Sequence, residues 1–366
     1  MNDRRIEGGE GVERVVQNFM VEGQLYRISE YGSGHINATY LVESEKRYIL
    51  QRINTNIFKD VDALMENISG VTSYLCEEIK KRNGDCMRET LQVIPTRSGA
   101  PYYRDEEGNC YRMYHFITDA TSYDAVEIPQ DFYESAVAFG NFQALLADYP
   151  AETLNETIPD FHNTGKRYAD FCKAVSEDVC GRAKEVAEEI AFVNAYAKVV
   201  TTITELLEKK ELPLRVTHND TKLNNVMLDD KTRTGICVID LDTVMPGSSL
   251  YDFGDAIRFG ANTAAEDEQD LSKVSLDLEL FESYAKGFVE GSKGRLTKLE
   301  KELLPMGAKL MTLECGMRFL ADYLQGDIYF RTHREKHNLD RCRTQFALIR
   351  DMEKKWSEME EIVSKL

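Results

Sequence analysis

The chain has 366 residues, 42% of them apolar and 30% charged, enough to bury a large core and ordinary for a globular protein. Its formal net charge of −18 argues against nucleic acid and against anionic membrane surfaces, whose phosphates would repel it. No apolar run approaches the roughly 20 residues of a membrane span, and the start, Met1-Asn-Asp-Arg-Arg-Ile-Glu-Gly-Gly-Glu10, has no apolar signal region. The eight cysteines are scattered with no Cys-x-x-Cys pair, which points to reduced thiols, a cytoplasmic setting and no zinc site.

Residues 1–24 form a loose lead-in with a short amphipathic segment over 12–19. Strand-like runs follow at 25–30, 38–43 and 47–53, separated by Tyr31-Gly-Ser-Gly34 and Ser44-Glu-Lys46, the pattern of an antiparallel meander. From 59 to 82 the apolar residues Val61, Leu64, Ile68, Val71 and Leu75 fall at helical steps, and Asn83-Gly84 stops the helix. Two more strands are predicted at 91–94 and 111–117, joined by the turn-rich stretch 96–109. Beyond Ile117 the chain is mostly helical, with helices predicted near 129–147, 165–191, 192–211, 276–290, 297–324 and 338–366. Only a strand-like stretch within 216–258 interrupts them, and there are no internal repeats. The change of regime at Tyr114-His-Phe-Ile-Thr-Asp119 predicts a smaller α+β lobe over 1–117 and a helical lobe over 118–366, with a ligand cleft between them.

The chemistry concentrates in three strings: His218-Asn-Asp-Thr-Lys-Leu-Asn-Asn225, Val238-Ile-Asp-Leu-Asp242 and Tyr251-Asp-Phe-Gly-Asp255. A carboxylate for an acceptor hydroxyl, followed by an Asn and an Asp to hold metal, is the layout that phosphoryl transfer needs. Asp220 would accept the hydrogen bond of the acceptor hydroxyl and take its proton late. Asn225 and Asp240 offer hard oxygens to Mg2+ ions bridging the phosphates of ATP. Lys222 can reach the γ-phosphate as a point charge. His218 and Asp252 are assigned to bracing the loop. Taken singly, an Asp in a loop is usually a turn or cap residue, and Asn224-Asn225 alone would be a turn. Asp220, Asp240, Asp242, Asp252 and Asp255, however, crowd beside apolar runs, where carboxylates repel one another unless a cation joins them. Asp242 stands evenly between a substrate-binding and a structural role.

The first string resembles the catalytic loop shared by protein kinases and the aminoglycoside phosphotransferase-like small-molecule kinases. Val238-Ile-Asp240 resembles the metal-binding segment that follows it. Within that superfamily, Val238-Ile-Asp-Leu-Asp-Thr-Val-Met-Pro-Gly247 with Tyr251-Asp-Phe-Gly-Asp255 is similar to the N-acetylhexosamine 1-kinases. The resemblance implies an α+β, bilobal protein-kinase-like fold with a small antiparallel-sheet lobe and a larger helical one. It further implies ATP and Mg2+, a sugar accepting phosphate on its anomeric hydroxyl, and a monomer or small homo-oligomer.

Against that resemblance, Gly32, Ser33 and Gly34 correspond to a glycine-rich loop whose backbone approaches phosphates, with Asn37 at its third glycine position. His35, at the loop tip, faces sugar or phosphate, or is an ordinary surface histidine. The crossover supplies Tyr114 and Phe116 as nucleotide-binding candidates. The strand Arg47-Tyr-Ile-Leu-Gln-Arg52 departs from the pattern: Gln51 stands where a kinase carries the lysine that grips the α/β-phosphates and pairs with a helix Glu. Arg52 should point to the opposite face of that strand, which leaves Glu66 of the following helix without its usual partner. In the late helix, Leu313, Met317, Leu320 and Leu324 form a core stripe, while Glu314, Arg318 and Asp322 recur every four residues. Those charges form a surface ion-pair ladder, or, as the resemblance implies, Arg318 contacts the sugar together with Tyr329. Three alternatives remain: a kinase of choline, an amino alcohol or an aminoglycoside; a metal-dependent hydrolase built on His218, Asp220, Asp240 and Asp242, weakened by its single histidine; and a non-catalytic nucleotide-binding regulator, prompted by Gln51.

Overall fold

Short alternating runs build a sheet first. The computed structural model describes residues 9–32 and 36–366. Its sheet consists of β1 (Arg27–Glu30), β2 (Ala38–Glu43), β3 (Arg47–Ile53), β4 (Tyr103–Arg104) and β5 (Cys110–His115), all antiparallel in the order β1-β2-β3-β5-β4. Ile28, Val42, Tyr48, Leu50 and Met113 turn to one face and pack with Val12, Val15 and Val16 of helix α1 (Gly9–Val16) and with Phe19. Helix α2 (Val61–Lys81) follows the meander; Asp60 caps it by accepting the N–H of Ala63 at 3.0 Å. The chain leaves α2 through Asn83, whose φ of 62° ends the helical path.

The apolar face of α2 does not join the sheet's cluster. Val61, Leu64, Ile68, Val71 and Leu75 belong to the larger core shared with the helical lobe. That lobe comprises α4 (Pro129–Leu145), α5 (Thr164–Glu177), α6 (Ala187–Ala195), α7 (Thr202–Glu208), α8 (Ser249–Gly260), α9 (Leu278–Gly291), α10 (Lys298–Glu302), α11 (Leu304–Gln325), α12 (His337–Lys354) and α13 (Trp356–Ser364), while the short α3 (Cys86–Glu89) precedes them. Helices α4 and α9 approach so closely that a Cβ on Gly140 would lie 2.4 Å from the Phe288 carbonyl and one on Gly291 2.3 Å from that of Val137. Only glycine permits that contact. The smaller lobe therefore holds one core of its own and lends α2 to another.

Two small ribbons frame the polar strings. β7 (Arg215–Thr217) pairs with β10 (Met245–Gly247), and β8 (Val226–Asp229) lies between β6 (Ala120–Thr121) and β9 (Gly235–Val238). The α+β fold and the strands at 38–43 and 47–53 agree with the sequence reading. Other elements differ. Residues 91–94 are no strand: Val93 makes an isolated bridge to Tyr114, while β4, inside the stretch read as turns, takes the far half of the same β5 edge. The helix expected over 165–191 ends at Asp178, left-handed at φ 35°. The one expected over 297–324 is divided at Leu303, just before Pro305 opens α11. Helix α8 was not anticipated, because its charged residues Asp252, Asp255 and Arg258 were read as part of the polar strings; they are buried along with its apolar residues. No helix among the described residues is long and apolar enough to cross a membrane.

Candidate active site

The loop joining β7 to β8 is held from behind by α8. Asp252, fully buried, accepts the backbone N–H of His218 at 3.0 Å and of Asn219 at 2.8 Å, and the side-chain amide of Gln143 at 2.6 Å. Burial raises the Asp252 carboxyl above the usual carboxylate range, and His218 together with these donors limits the rise. The His218 ring stands edge-on to Phe139 at 5.3 Å. Its Nε2 faces the Ile239 carbonyl at 2.9 Å and its Nδ1 accepts the Asp220 N–H at 3.3 Å, so the ring proton is assigned to Nε2. Asn219 adopts a left-handed φ of 66°, and its side chain donates to the Thr243 carbonyl at 2.8 Å. These contacts fix the turn that presents Asp220, whose side chain stays partly exposed.

Asp220 is only partly buried and has polar neighbours on both sides. The Lys222 ammonium lies 2.7 Å from its Oδ1, and the Asn225 amide donates to its Oδ2 at 3.1 Å and to its carbonyl at 2.8 Å. One turn after Asp252, Asp255 accepts the Thr221 N–H at 3.1 Å and pairs with Arg258 at 2.8 Å. Burial alone would lower the Lys222 ammonium, but Asp220 and Asp255 raise it net. Asp240 follows β9 at a left-handed φ of 59°. Its carboxyl is pushed up to about 6, by burial first and then by the nearby Asp242 and Asp220. Such crowding is what a divalent cation between Asp240 and Asn225 would relieve. Among the described residues no group of three or more His, Cys, Asp and Glu side chains could hold a metal alone. Mg2+ fits instead as an ion completed by water and phosphate oxygens, its usual mode.

On the nucleotide side, Gly32 has a φ of 78°, whereas Ser33, Gly34 and His35 lie outside the described residues. Phe116 packs under the Arg47 guanidinium at 4.3 Å and edge-on to Tyr31 at 5.8 Å, and its N–H donates to the Arg47 carbonyl at 3.1 Å. Tyr114 is buried below it. Gln51 donates to Thr39 Oγ1 at 3.3 Å and accepts from Arg112 Nε at 3.0 Å. Arg112, 1% exposed, forms an ion pair with Asp242 Oδ1, and the Asn37 amide donates to Asp242 Oδ2 at 2.7 Å. Asp242 thus turns both oxygens to the smaller lobe rather than toward Arg318. Arg52 points away and donates to Asn109, and Glu66 receives the Asn155 amide at 3.1 Å.

The ion-pair ladder on α11 does not form. Glu314 is buried and accepts from Thr164 at 2.7 Å, with His162 Nδ1 at 2.8 Å; the other ring nitrogen of His162 lies 3.2 Å from the Asn219 carbonyl, beside Asp220. Asp322 is buried too, accepting the N–H groups of Ile328 at 3.0 Å, Tyr329 at 2.8 Å and Phe330 at 3.0 Å. Arg318, one turn from Glu314, faces the rings of Phe161 at 5.7 Å, Tyr329 at 5.7 Å and Phe330 at 5.4 Å. Burial raises the Glu314 carboxyl, but His162, Thr164 and then the Arg318 charge hold it below its usual range. Tyr329 itself is 65% exposed.

The sequence reading missed Arg112, His162 and Arg258. A charged residue inside the otherwise apolar Cys110-Tyr-Arg-Met-Tyr114 was the available signal for the first. His162 carries none, since its partners lie far along the chain, whereas Arg258 stands three residues from its partner Asp255.

A sheet lobe over a helical lobe, with a bracing carboxylate behind an Asp–Lys–Asn loop, defines a small-molecule phosphotransferase of protein-kinase-like fold. Residues 27–285 match the phosphotransferase enzyme family, and the chain belongs to it. Among solved structures, a microcompartment-associated aminopropanol kinase is similar at 17% identity, with a TM-score of 0.54 and 95% of this chain and 98% of that chain covered. A spectinomycin phosphotransferase in complex with ADP and spectinomycin is similar at 14% identity, with a TM-score of 0.57 and 98% of each chain covered. The choline kinase of Cryptosporidium parvum is similar at 14% identity, with a TM-score of 0.54 and 92% and 90% covered. At these identities the likeness is one of fold.

Proposed function

We propose that the protein transfers the γ-phosphoryl group of MgATP to a sugar hydroxyl, with the anomeric hydroxyl of an N-acetylhexosamine as the leading acceptor. The observation that carries the transfer is Asp220 at the cleft, between Lys222 at 2.7 Å and Asn225 at 3.1 Å. The acceptor hydroxyl donates to the Asp220 carboxylate and its oxygen attacks the γ-phosphorus. The bond from that phosphorus to the β-bridging oxygen breaks, ADP departs with the bond's electrons, and the proton passes to Asp220. Lys222 offsets charge on the transferred group. Bound at Asn225 and Asp240, Mg2+ would supply further neutralisation on the phosphates.

The acceptor reading rests on the far side of Asp220. Arg318 and the neighbouring Arg167 bring two guanidinium groups close together there, burial and the Arg318 charge lowering the Arg167 guanidinium while Glu314 partly offsets them. Ring hydroxyls and an acetamido carbonyl accept from a planar donor fork, and a ring face can lie on Tyr329. The amino-alcohol, choline and aminoglycoside kinases among the similar folds supply the second reading. The eight free thiols suit work in a reducing cytoplasm.

Coupled ADP release measured with N-acetylglucosamine, N-acetylgalactosamine, galactose, choline and homoserine, with and without magnesium, tests both readings. Magnesium-dependent release with an N-acetylhexosamine is expected. Release with choline or homoserine alone would move the acceptor to the second reading. No acceptor-dependent release from any of them, while ATP still binds, would sink turnover and leave a nucleotide-binding regulator.

A further inference from the structure

We propose that Arg112 is the cation that grips the nucleotide phosphates, replacing across the sheet the lysine absent at position 51. The inference rests on the phosphotransferase reading above and concerns which residue of this chain performs the grip. In the β3–β5 register Gln51 stands directly opposite Arg112, and in the β2–β3 register Thr39 stands opposite Gln51. Cross-strand partners project to one face of a sheet, so Thr39, Gln51 and Arg112 form a row on the same side. Each link of the row is bonded: Gln51 Nε2 to Thr39 Oγ1 at 3.3 Å, and Arg112 Nε to Gln51 Oε1 at 3.0 Å.

The row ends at the metal-binding segment. Arg112 Nη1 pairs with Asp242 Oδ1, and Asp240 lies within electrostatic reach of the same guanidinium. Asn37, just beyond the glycine-containing loop, holds the other Asp242 oxygen at 2.7 Å. The guanidinium therefore sits between the strand end of that loop and the aspartate assigned to magnesium, where the α- and β-phosphates of a nucleotide would lie. A guanidinium has more N–H donors than Gln51 and Asp242 use, and the rest are free to meet phosphate oxygens. Asp242 serves as the companion carboxylate that a helix Glu provides to a strand-three lysine. Glu66 does not serve here, because its carboxylate receives the Asn155 amide. A charge that is 1% exposed is expensive to bury, and a structural strand position would be filled more stably by an apolar residue.

Calorimetric binding of MgADP and of adenosine to the full chain tests the assignment without relying on turnover. Arg112→Met should weaken MgADP binding by roughly 10- to 100-fold, the worth of a charge-assisted hydrogen bond or two, while adenosine affinity is kept. Gln51→Lys in the Arg112→Met background should recover part of the MgADP affinity by supplying the charge from the facing strand. A folded Arg112→Met variant with unchanged MgADP-to-adenosine preference would overturn the proposal. Should Arg112→Met fail to fold, Gln51→Leu decides: it leaves the charge but releases its tether, and a several-fold loss of MgADP affinity alone is expected. Unchanged MgADP affinity in Gln51→Leu would overturn the assignment. Absence of MgADP binding by the unaltered protein would instead overturn the phosphotransferase reading, and this inference with it.

Discussion

The two walls of the cleft are built differently. On the helical side, the acceptor-facing loop is ordered by residues of one short stretch: Asp252 ties the N–H groups of His218 and Asn219, and Asp255 ties that of Thr221. On the sheet side, the only cation in the row is one buried arginine, brought to Gln51 by the pairing of strands far apart in sequence. The difference teaches where each function is vulnerable. On the roles proposed above, acceptor activation would depend on a locally wired loop, whereas nucleotide grip would depend on strand register and on the Asp242 carboxylate.

Substitutions should separate the walls. The largest effect is expected from Asp220→Ala, which removes the proton acceptor and should lower kcat by roughly 1,000-fold or more in steady-state assays, with MgADP affinity nearly retained. Parallel loss of nucleotide binding would erase the contrast. Asp252→Ala leaves the donors of His218, Asn219 and Gln143 without their acceptor. Equilibrium denaturation should show a loss of about 3 kcal/mol, accompanied by lower kcat. A stability loss with kcat intact would show that the loop does not need its anchor.

The proposed metal pole should respond to pH. The Asp240 carboxyl, at about 6 in the folded chain, keeps a proton that the unfolded chain releases near a pH of about 4. Its contribution to stability is therefore present in acid and is lost as pH rises through that window. Metal needs the ionised form, so the sign for binding is opposite. Magnesium affinity, read by MgADP titration, should fall about tenfold per pH unit below 6 and flatten above it. Asp240→Asn should remove this dependence, and an unaltered profile in that variant would assign it elsewhere. The smallest effect is expected from Arg318→Ala: a rise in acceptor KM of about tenfold with the KM for ATP unchanged. A changed ATP KM alone would move Arg318 off the acceptor wall.

What was legible follows the same division. Strands β2 and β3 are strand-like runs set off by turn residues and helix α2 carries a helical pattern, so their bounds emerge almost residue by residue. The loop from His218 to Asn225 is legible because its chemistry is contiguous. Helix α8 was hidden because its polar edge, Asp252, Asp255 and Arg258, was taken for site chemistry, although that edge is buried against the loop it braces. Glu314 and Asp322 looked like surface charges at four-residue spacing, yet Glu314 serves the distant Thr164 and His162, and Asp322 ties the turn that follows its own helix. The charge of Arg112 within an apolar run was visible but its partners were not: register between β3 and β5 is a tertiary fact, and no spacing in sequence encodes it.

The divided core of the smaller lobe has a mechanical consequence. The sheet and α1 close around their own apolar cluster, while α2 is sealed into the core of the other lobe. Asn67 of α2 fastens it further, donating to the Val244 carbonyl at 3.0 Å and to that of Asn155 at 2.8 Å. The smaller lobe thus has two layers joined through the segment from Asn54 to Asp60, and what binds the sheet layer to the rest is narrower: Ile53, Cys110 and Tyr114 in the large core, and Arg112 and Asn37 on Asp242.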